Sequence, residues 1–211
     1  MAELSAGQVA EPEQAVPMSG SSRHTTTKER VVTRATVWFT GLSGAGKTTV
    51  ATTLKVLLEE RDLPTFMLDG DLLREGLNSD LGFGEADRIE NVRRVGEVAF
   101  LFATVGHLVL VTVISPYEAG RLAARARHEA SGVPFIEVYV ATPLDVCERR
   151  DPKGLYARAR RGEVSRFTGI SAPYEVPEDA ELTLYTTGKT PQESAAEVLA
   201  LLQSSGLVDP D

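Results

Sequence analysis

A single segment near the start of the chain combines a strand, a glycine-rich loop and a helix, and it constrains the fold more than any other feature. The loop runs from Gly41 to Thr48, reads Gly-Leu-Ser-Gly-Ala-Gly-Lys-Thr, and fits the pattern G-x-x-x-x-G-K-[ST]. Residues 35–40 before it are β-branched and aromatic, which predicts a buried strand, and residues 48–61 carry apolar positions at helical spacing. In that context the loop binds phosphate through backbone N–H groups and a helix N-terminus. The chain is therefore predicted to bind a nucleoside triphosphate, and a chance glycine-rich turn is the weaker alternative.

The same pattern assigns roles within the loop. Lys47 is predicted to reach the outer phosphates of ATP, and the Thr48 hydroxyl is predicted to bind Mg²⁺. The predicted ATP-binding residues are Gly41, Leu42, Ser43, Gly44, Ala45, Gly46, Lys47, Thr48, Thr49 and Arg150.

Composition narrows the class of protein. A chain of 211 residues supports one domain, and its formal net charge of −8 argues against a general surface for nucleic acid or anionic membrane. No apolar run approaches the roughly 20 residues of a membrane span, and the N-terminus lacks the basic start and apolar centre of a signal peptide. One cysteine, Cys147, excludes an internal disulfide framework and is expected to be a packed residue in a helix. A cytoplasmic enzyme is the natural expectation.

Strand and helix patterns alternate along most of the chain. Residues 1–30 show no sustained periodicity and predict a disordered or loosely attached tail, residues 31–205 predict one domain, and residues 206–211 a C-terminal tail. The alternation predicts an α/β three-layer fold of the P-loop NTPase type with a mostly parallel sheet. Strands are predicted at 35–40, 65–68, 107–114, 135–140 and 181–185, and helices at 48–61, 87–105, 117–131, 144–150 and 191–202.

Three of the predicted strands end directly before Gly41, Asp69 and Ser115. Because ligands bind beyond the carboxyl ends of parallel strands, these three positions are expected to face one cleft. A carboxylate there can orient an acceptor hydroxyl and hold Mg²⁺ or its waters, and Asp69 is the candidate. Asp71 fits better as the N-cap of a helix beginning near Leu72.

Residues 149–166 are strongly basic within an acidic chain. They carry seven Lys or Arg against two acidic residues, with Gly154 and Gly162 as candidate hinges. Phosphotransferases use basic lids that close over phosphates, so a lid over about 149–170 is predicted. The alternative is a solvated helix face.

Two glycine-bearing stretches each carry a single aromatic that is expected to be exposed, Phe83 and Phe167. Such a pair could clamp a purine ring, although each could equally fill a local gap in the core. Arg88 and Asn91 share one helix face and, with Arg74, could grip an anionic acceptor; surface salt bridging is the alternative.

Several segments together resemble the adenylylsulfate (APS) kinase family, from about Thr36 to the C-terminal helix. They are Leu68-Asp-Gly-Asp71, Leu77-Asn-Ser-Asp-Leu-Gly-Phe83, Ala86-Asp-Arg-Ile-Glu-Asn-Val-Arg-Arg-Val-Gly-Glu97, Ile114-Ser-Pro-Tyr117, Asp151-Pro-Lys-Gly-Leu-Tyr156, Phe167-Thr-Gly-Ile170 and Ala172-Pro-Tyr-Glu175. The resemblance implies that ATP and adenosine 5′-phosphosulfate (APS) give ADP and 3′-phosphoadenosine 5′-phosphosulfate, with Mg²⁺. It also implies a homodimer and a sulfurylase as partner.

The resemblance further implies roles for individual residues. Phe83 and Phe167 sandwich the adenine of the acceptor, and three polar side chains hold its phosphosulfate and ribose: Arg74, Arg88 and Asn91. Lys153 comes in with the lid, Asp69 positions the 3′-hydroxyl, and Ser115 matches a phosphoserine site reported in parts of the family. Two departures from the family pattern, Leu72 and Gly120, leave open a small-molecule kinase with a changed acceptor. A nucleotide-binding regulatory partner of a sulfurylase is a third hypothesis.

Overall fold

The computed structural model describes residues 34–210, and the tail predicted at 1–30 lies outside them. Within this part, all five predicted strands, the five helices predicted from their patterns and the short helix expected near Leu72 are present. One further short helix, at residues 155–160, was not predicted. The strands are β1 Ala35–Thr40, β2 Thr65–Asp69, β3 Leu108–Thr112, β4 Phe135–Val140 and β5 Leu182–Leu184. The helices are α1 Lys47–Glu59, α2 Gly70–Glu75, α3 Glu85–Thr104, α4 Glu118–Glu129, α5 Leu144–Arg150, α6 Leu155–Arg160 and α7 Pro191–Ser204.

The five strands form one parallel sheet in the order β2-β3-β1-β4-β5, which confirms the predicted α/β fold. Val37 at the centre of β1 lies opposite Leu110 on one side and Ile136 on the other. All six residues of β1 and all five of β3 are buried, because helices cover both faces of a parallel sheet. The chain leaves β1 toward β2 and β3 on one side and later crosses to β4 on the other. A crevice at this switch point is where ligands bind in such sheets.

Alternate residues of β1 serve two separate cores. Val37 and Phe39 pack with α1 and α7, whereas Trp38 packs with α3 and α4. The period of two along a strand sends neighbouring side chains to opposite faces, so three layers follow from the sequence of one strand. In the part of the chain that the structure describes, no helix is both long enough and apolar enough to cross a membrane.

The domain does not end at residue 205. Val208 is 4% exposed and belongs to the core beneath α7. The backbone N–H groups of Leu207 and Val208 both donate to the carbonyl of Leu202, which folds the chain back onto its last helix. The prediction that residues 206–211 form a tail is therefore wrong for residues 207 and 208. The sequence signal for this fold-back is the pair of apolar residues Leu207 and Val208, which follow Gly206 at the end of the helix.

Candidate active site

A cleft of about 1170 Å³ opens at the carboxyl ends of the strands. This exceeds the 300–1,000 Å³ that is common for one drug-sized ligand, so there is room for two nucleotides. The predicted site residues that line the cleft are Ser43, Gly44, Gly46, Lys47, Thr48, Thr49, Asp69, Arg74, Phe83, Arg88, Asn91, Ser115, Arg150, Lys153 and Phe167.

The loop between β1 and α1 depends on glycines with left-handed backbone angles. Gly41 has φ 142°, and a Cβ there would lie 2.7 Å from the carbonyl oxygen of Val140; Gly46, the N-cap of α1, has φ 108°. The prediction that every loop residue faces phosphate needs correction at two side chains. Ala45 is buried in the core, and Leu42 packs against that core beside Gly169. These two residues can contact phosphate only through their backbone.

Lys47 is folded back onto its own loop. Its Nζ donates to the carbonyl oxygens of Gly41 at 2.9 Å and of Leu42 at 2.8 Å, and only 9% of the residue is exposed. Burial away from water lowers the pKa of Lys47 to about 8. The ammonium is thus held beside the loop, where phosphate oxygens could replace its carbonyl partners.

Asp69 is the centre of a hydrogen-bond cluster. Its Oδ2 accepts from the hydroxyls of Thr48 and Thr112, each at 2.8 Å, and its Oδ1 accepts from the backbone N–H of Asp71 at 2.9 Å. Burial alone would raise the pKa of Asp69, but these hydrogen bonds outweigh it and hold the pKa below its usual range. Asp69, and not Asp71, is the N-cap of α2, which corrects the prediction.

The donor set around Asp69 fits a magnesium ion. A hydroxyl from Thr48 and a carboxylate from Asp69 are hard oxygen donors, and their oxygens already lie 2.8 Å apart. No group of three or more His, Cys, Asp or Glu side chains that could hold a metal occurs in residues 34–210. Mg²⁺ here would therefore depend on phosphate oxygens and water for its other ligands.

Two threonines that support the site were not predicted. Thr112 binds Asp69, and Thr186 joins the loop by donating to the carbonyl of Ala45 at 3.1 Å. Arg150 contacts the same carbonyl at 3.1 Å and Thr186 at 3.2 Å, so it braces the loop as well as lining the cleft. Thr112 could have been found, because it carries the one hydroxyl in an apolar strand near its carboxyl end.

Ser115 lines the cleft, while its hydroxyl is hydrogen-bonded to residues of β1. The residue is 2% exposed; its Oγ accepts from the Trp38 indole N–H at 3.0 Å and donates to Thr40 Oγ1 at 2.9 Å. Thr40 in turn donates to the carbonyl of Ile114 at 2.7 Å. A hydroxyl with both functions used and little exposure is poorly placed to receive a phosphoryl group. This geometry argues against the predicted phosphoserine. Ser115 instead holds the turn between β3 and α4 against β1.

The two predicted aromatics both border the cleft, but they differ in exposure. Phe83 is 57% exposed as predicted, whereas Phe167 is 7% exposed, which contradicts the expectation of an exposed ring. Phe167 packs edge-on against Tyr156 with ring centroids 4.9 Å apart. Phe167 therefore fills the core, as the alternative expected, and it also borders the cleft; its role in a purine clamp stays a prediction.

Arg88 ties the two aromatic stretches together. Its Nε donates to the carbonyl of Phe83 at 3.0 Å, and its Nη2 donates to the carbonyl of Arg166 at 2.9 Å, directly before Phe167. The Arg74 guanidinium lies 4.4 Å from the centroid of the Phe83 ring. Among the described residues neither Arg74 nor Arg88 forms the surface salt bridge that the alternative expected, and both donate to backbone carbonyls.

The basic segment contains both a cleft-lining part and a solvent-facing part. Arg150, Lys153, Arg158 and Arg166 line the cleft, and Lys153 forms an ion pair with Asp71 across it. Its other basic residues pair on the surface, as the alternative hypothesis expected: Arg149 with Asp145, Arg160 with Glu148 and Arg161 with Glu163.

Neither departure from the family pattern places a new group in the cleft. Leu72 is 63% exposed and does not line the cleft. Gly120 lies where α4 crosses α3, and a Cβ there would come within 3.3 Å of Val92 Cγ1. The glycine is explained by close helix packing.

A parallel sheet with this loop after β1, a carboxylate at the end of β2 and a basic segment that lines the cleft define an ATP-dependent P-loop kinase. The family model described as "Adenylylsulphate kinase" matches residues 33–185. The chain belongs to the adenylylsulfate kinase family. It is 51% identical to an adenylyl-sulfate kinase of Marinobacter nauticus, over 82% of this chain and 85% of that one.

Two further relatives come from Mycobacterium tuberculosis. A solved structure of its APS kinase CysC in complex with AMPPNP and APS is 53% identical, with a TM-score of 0.78, and the match covers 81% of this chain and 98% of that one. The bifunctional enzyme CysN/CysC is 50% identical over 90% of this chain. The chain spans 31% of the length of that bifunctional relative.

Proposed function

We propose that this chain transfers the γ-phosphoryl group of ATP to the 3′-hydroxyl of adenosine 5′-phosphosulfate, giving ADP and 3′-phosphoadenosine 5′-phosphosulfate. The observation that carries the proposal is the continuity of one cleft, in which the phosphate loop with Lys47 adjoins an acceptor end bordered by Asp69 and Phe83. The solved relative with 53% identity holds AMPPNP and APS together, which supports two nucleotides for this cleft.

In this proposal the loop, Lys47 and Arg150 bind the ATP phosphates, and Thr48 with Asp69 would hold Mg²⁺. The metal would supply charge neutralisation on the phosphate oxygens. Asp69 accepts a hydrogen bond from the 3′-hydroxyl and orients it for in-line attack. A bond then forms between that oxygen and the γ-phosphorus as the bond to the β–γ bridging oxygen breaks. ADP leaves with the bridging oxygen, and the proton of the 3′-hydroxyl passes to Asp69.

The acceptor is held by stacking and by charge. Phe83 and Phe167 border the space proposed for its adenine, and Arg74, Arg88 and Asn91 are proposed to bind its ribose and phosphosulfate. Lys153 is proposed to enter from the lid and neutralise the transferred group once its ion pair with Asp71 opens.

The proposal extends to the partners of the protein and its location. We propose a homodimer, a sulfurylase that supplies the acceptor, and a cytoplasmic location. The bifunctional relative supports the second of these, because it joins a region like this chain to another activity in one polypeptide. Light scattering on the purified protein would test the homodimer, and a single protomer mass would contradict it.

The deciding experiment is a coupled assay of ADP release with ATP, Mg²⁺ and either APS or AMP as acceptor. We expect turnover with APS and little with AMP, since only APS presents a sulfate to the arginines. Lys47→Ala should abolish turnover, and Lys55→Ala is the matched control, because Lys55 lies on the same helix and pairs with Glu59 on the surface. Equal rates with AMP, or full activity in Lys47→Ala, would contradict the proposal.

A further inference from the structure

A buried asparagine outside the cleft lies directly behind one of the residues that line it. Asn78, in the turn between α2 and α3, is 0% exposed, and its Nδ2 donates a hydrogen bond of 3.1 Å to Oδ1 of Asn91. The backbone of Asn78 is held on both sides, since its N–H donates to Leu73 and its carbonyl accepts from Leu81. Asn78 does not line the cleft, so it can reach a ligand only through Asn91.

This contact leaves half of the Asn91 carboxamide available. Oδ1 of Asn91 is occupied by Asn78, and within residues 34–210 the Asn91 Nδ2 has no hydrogen-bond partner and is not fully buried. Asn91 lines the acceptor end of the cleft one helical turn from Arg88. Its two N–H donors are therefore the part of the amide that remains for a ligand rich in oxygen acceptors.

Stability does not explain the choice of asparagine at position 78. Its Oδ1 is buried and has no hydrogen-bond partner among the described residues. A buried unpaired carbonyl is destabilising, and an apolar side chain of similar size would avoid that cost. The polar contact with Asn91 is the feature that an apolar residue could not reproduce.

We infer that Asn78 is a positioning residue that orients the Asn91 carboxamide, so that Asn91 presents N–H donors to the acceptor nucleotide. The opposite orientation would aim the Asn91 oxygen at the phosphate or sulfate oxygens of that ligand, which have no proton to donate, and repel them. The identity of the ligand rests on the proposed function, whereas the orientation of the amide rests on the contact with Asn78.

The test reverses the hydrogen bond with a nearly isosteric change, Asn78→Asp. An ionised carboxylate only accepts, so Asn91 must turn its N–H groups toward position 78 and its oxygen toward the cleft. We expect the KM for APS to rise on the order of tenfold, as for a lost hydrogen bond to a charged group, with the KM for ATP unchanged. Ser79→Ala, an exposed neighbour, is the matched control and should leave both KM values unchanged.

A double-mutant cycle separates positioning from general damage. In an Asn91→Ala background, Asn78→Asp should raise the KM for APS no further, because the amide that it reorients is gone. Additive effects in the cycle would overturn the inference. Asn78→Ala removes the donor without adding a charge, and it takes the same place in the cycle if the aspartate variant does not fold.

A measurement without substrate keeps this inference separate from the proposed function. Hydrogen exchange of the Asn91 side-chain amide, followed by NMR, should be slower in Asn78→Asp, because the N–H groups then donate to the new carboxylate. Unchanged exchange would overturn the positioning role. A wild-type enzyme that does not phosphorylate APS would overturn the proposed function, and the exchange experiment would still decide the role of Asn78.

Discussion

The Lys47 ammonium is already held beside the loop that is proposed to bind phosphate. It bonds to two carbonyls of that loop and is almost wholly buried. Such a charge is costly to desolvate, which is why burial lowers the pKa of Lys47 to about 8. Phosphate oxygens are stronger partners than carbonyls, so binding ATP should raise that pKa again.

This coupling predicts a pH dependence for ATP binding. Below about pH 8 Lys47 is already protonated in the free protein, so affinity is flat with pH; above it, binding must take up a proton. The dissociation constant for ATP should therefore rise about tenfold per pH unit above pH 8, until the pKa of the complex is reached. Calorimetry at several pH values measures this dissociation constant. The control is Lys47→Arg, which stays charged and should give a flat pH profile. A flat wild-type profile would contradict the pKa of Lys47.

Asp69 combines a structural and a chemical role that substitution can separate. Asparagine caps helices as well as aspartate does, so Asp69→Asn can keep the cap of α2 through Oδ1. It removes the charge and the oxygen that accepts from Thr48 and Thr112. We expect kcat to fall by about 10²–10⁴-fold with little change in melting temperature. Asp69→Ala should lose the same activity and in addition about 1 kcal/mol of stability. Near-normal kcat in Asp69→Asn would show that the carboxylate is not needed.

At the residue scale, the sequence identified chemical groups better than their orientation. Lys47, Thr48 and Asp69 could be assigned because a motif or a strand end fixes where such residues lie. The hydroxyl of Ser115 and the ring of Phe167 could not, because their orientations depend on Trp38, Thr40 and Tyr156, which are distant in sequence.

At the scale of elements, a buried charge pair joins α4 to the sheet. Arg121 is 1% exposed; its Nε lies 2.8 Å from Glu137 Oε1 in β4, and its Nη1 donates to the carbonyl of Ser115 at 2.9 Å. Burial raises the pKa of Glu137, although Arg121 and Arg125 oppose that rise. The pair fixes the turn between β3 and α4, which forms one wall of the cleft.

Breaking this pair should be costly. Arg121→Met leaves Glu137 buried with a weaker partner, and we expect a loss of about 3–5 kcal/mol in the free energy of unfolding. The double variant Arg121→Met with Glu137→Met should lose less than the sum of the two single variants, because no charge is then buried alone. Urea unfolding measures both, and Arg149→Met, which removes a surface pair, should leave the midpoint unchanged. Strictly additive losses would contradict the coupling.

The long periodic helices were predicted closely, whereas the shortest helices gave little or no periodic signal. α3 has 20 residues and α7 has 14, and both were predicted within two residues of their observed ends. α2 and α6 have six residues each, which is too short for an apolar period to appear. α6 nevertheless forms inside the predicted lid, where the side chain of Asp151 accepts from the N–H groups of Tyr156 and Ala157.

At the scale of the whole molecule, the proposed function divides the cleft into two binding sites that share one carboxylate. The β1–α1 loop with Arg150 forms the donor end, and Phe83 with the arginines beside it forms the acceptor end. Asp69 lies between them, bonded to Thr48 on the donor side and capping α2 on the acceptor side. Since each end has its own residues, each ligand should stabilise the fold independently.

This division predicts a double dissociation in ligand-induced stability. A ligand at about 100 times its dissociation constant adds about 2.7 kcal/mol, or roughly 5–11 °C in melting temperature for a domain of this size. A non-transferable ATP analogue with Mg²⁺ and APS should each produce such a shift in the wild type. Lys47→Ala should lose the shift from the ATP analogue and keep that from APS, and Phe83→Ala should show the reverse. If either variant lost both shifts, the cleft would be one cooperative site, and the assignment of separate donor and acceptor ends would fail.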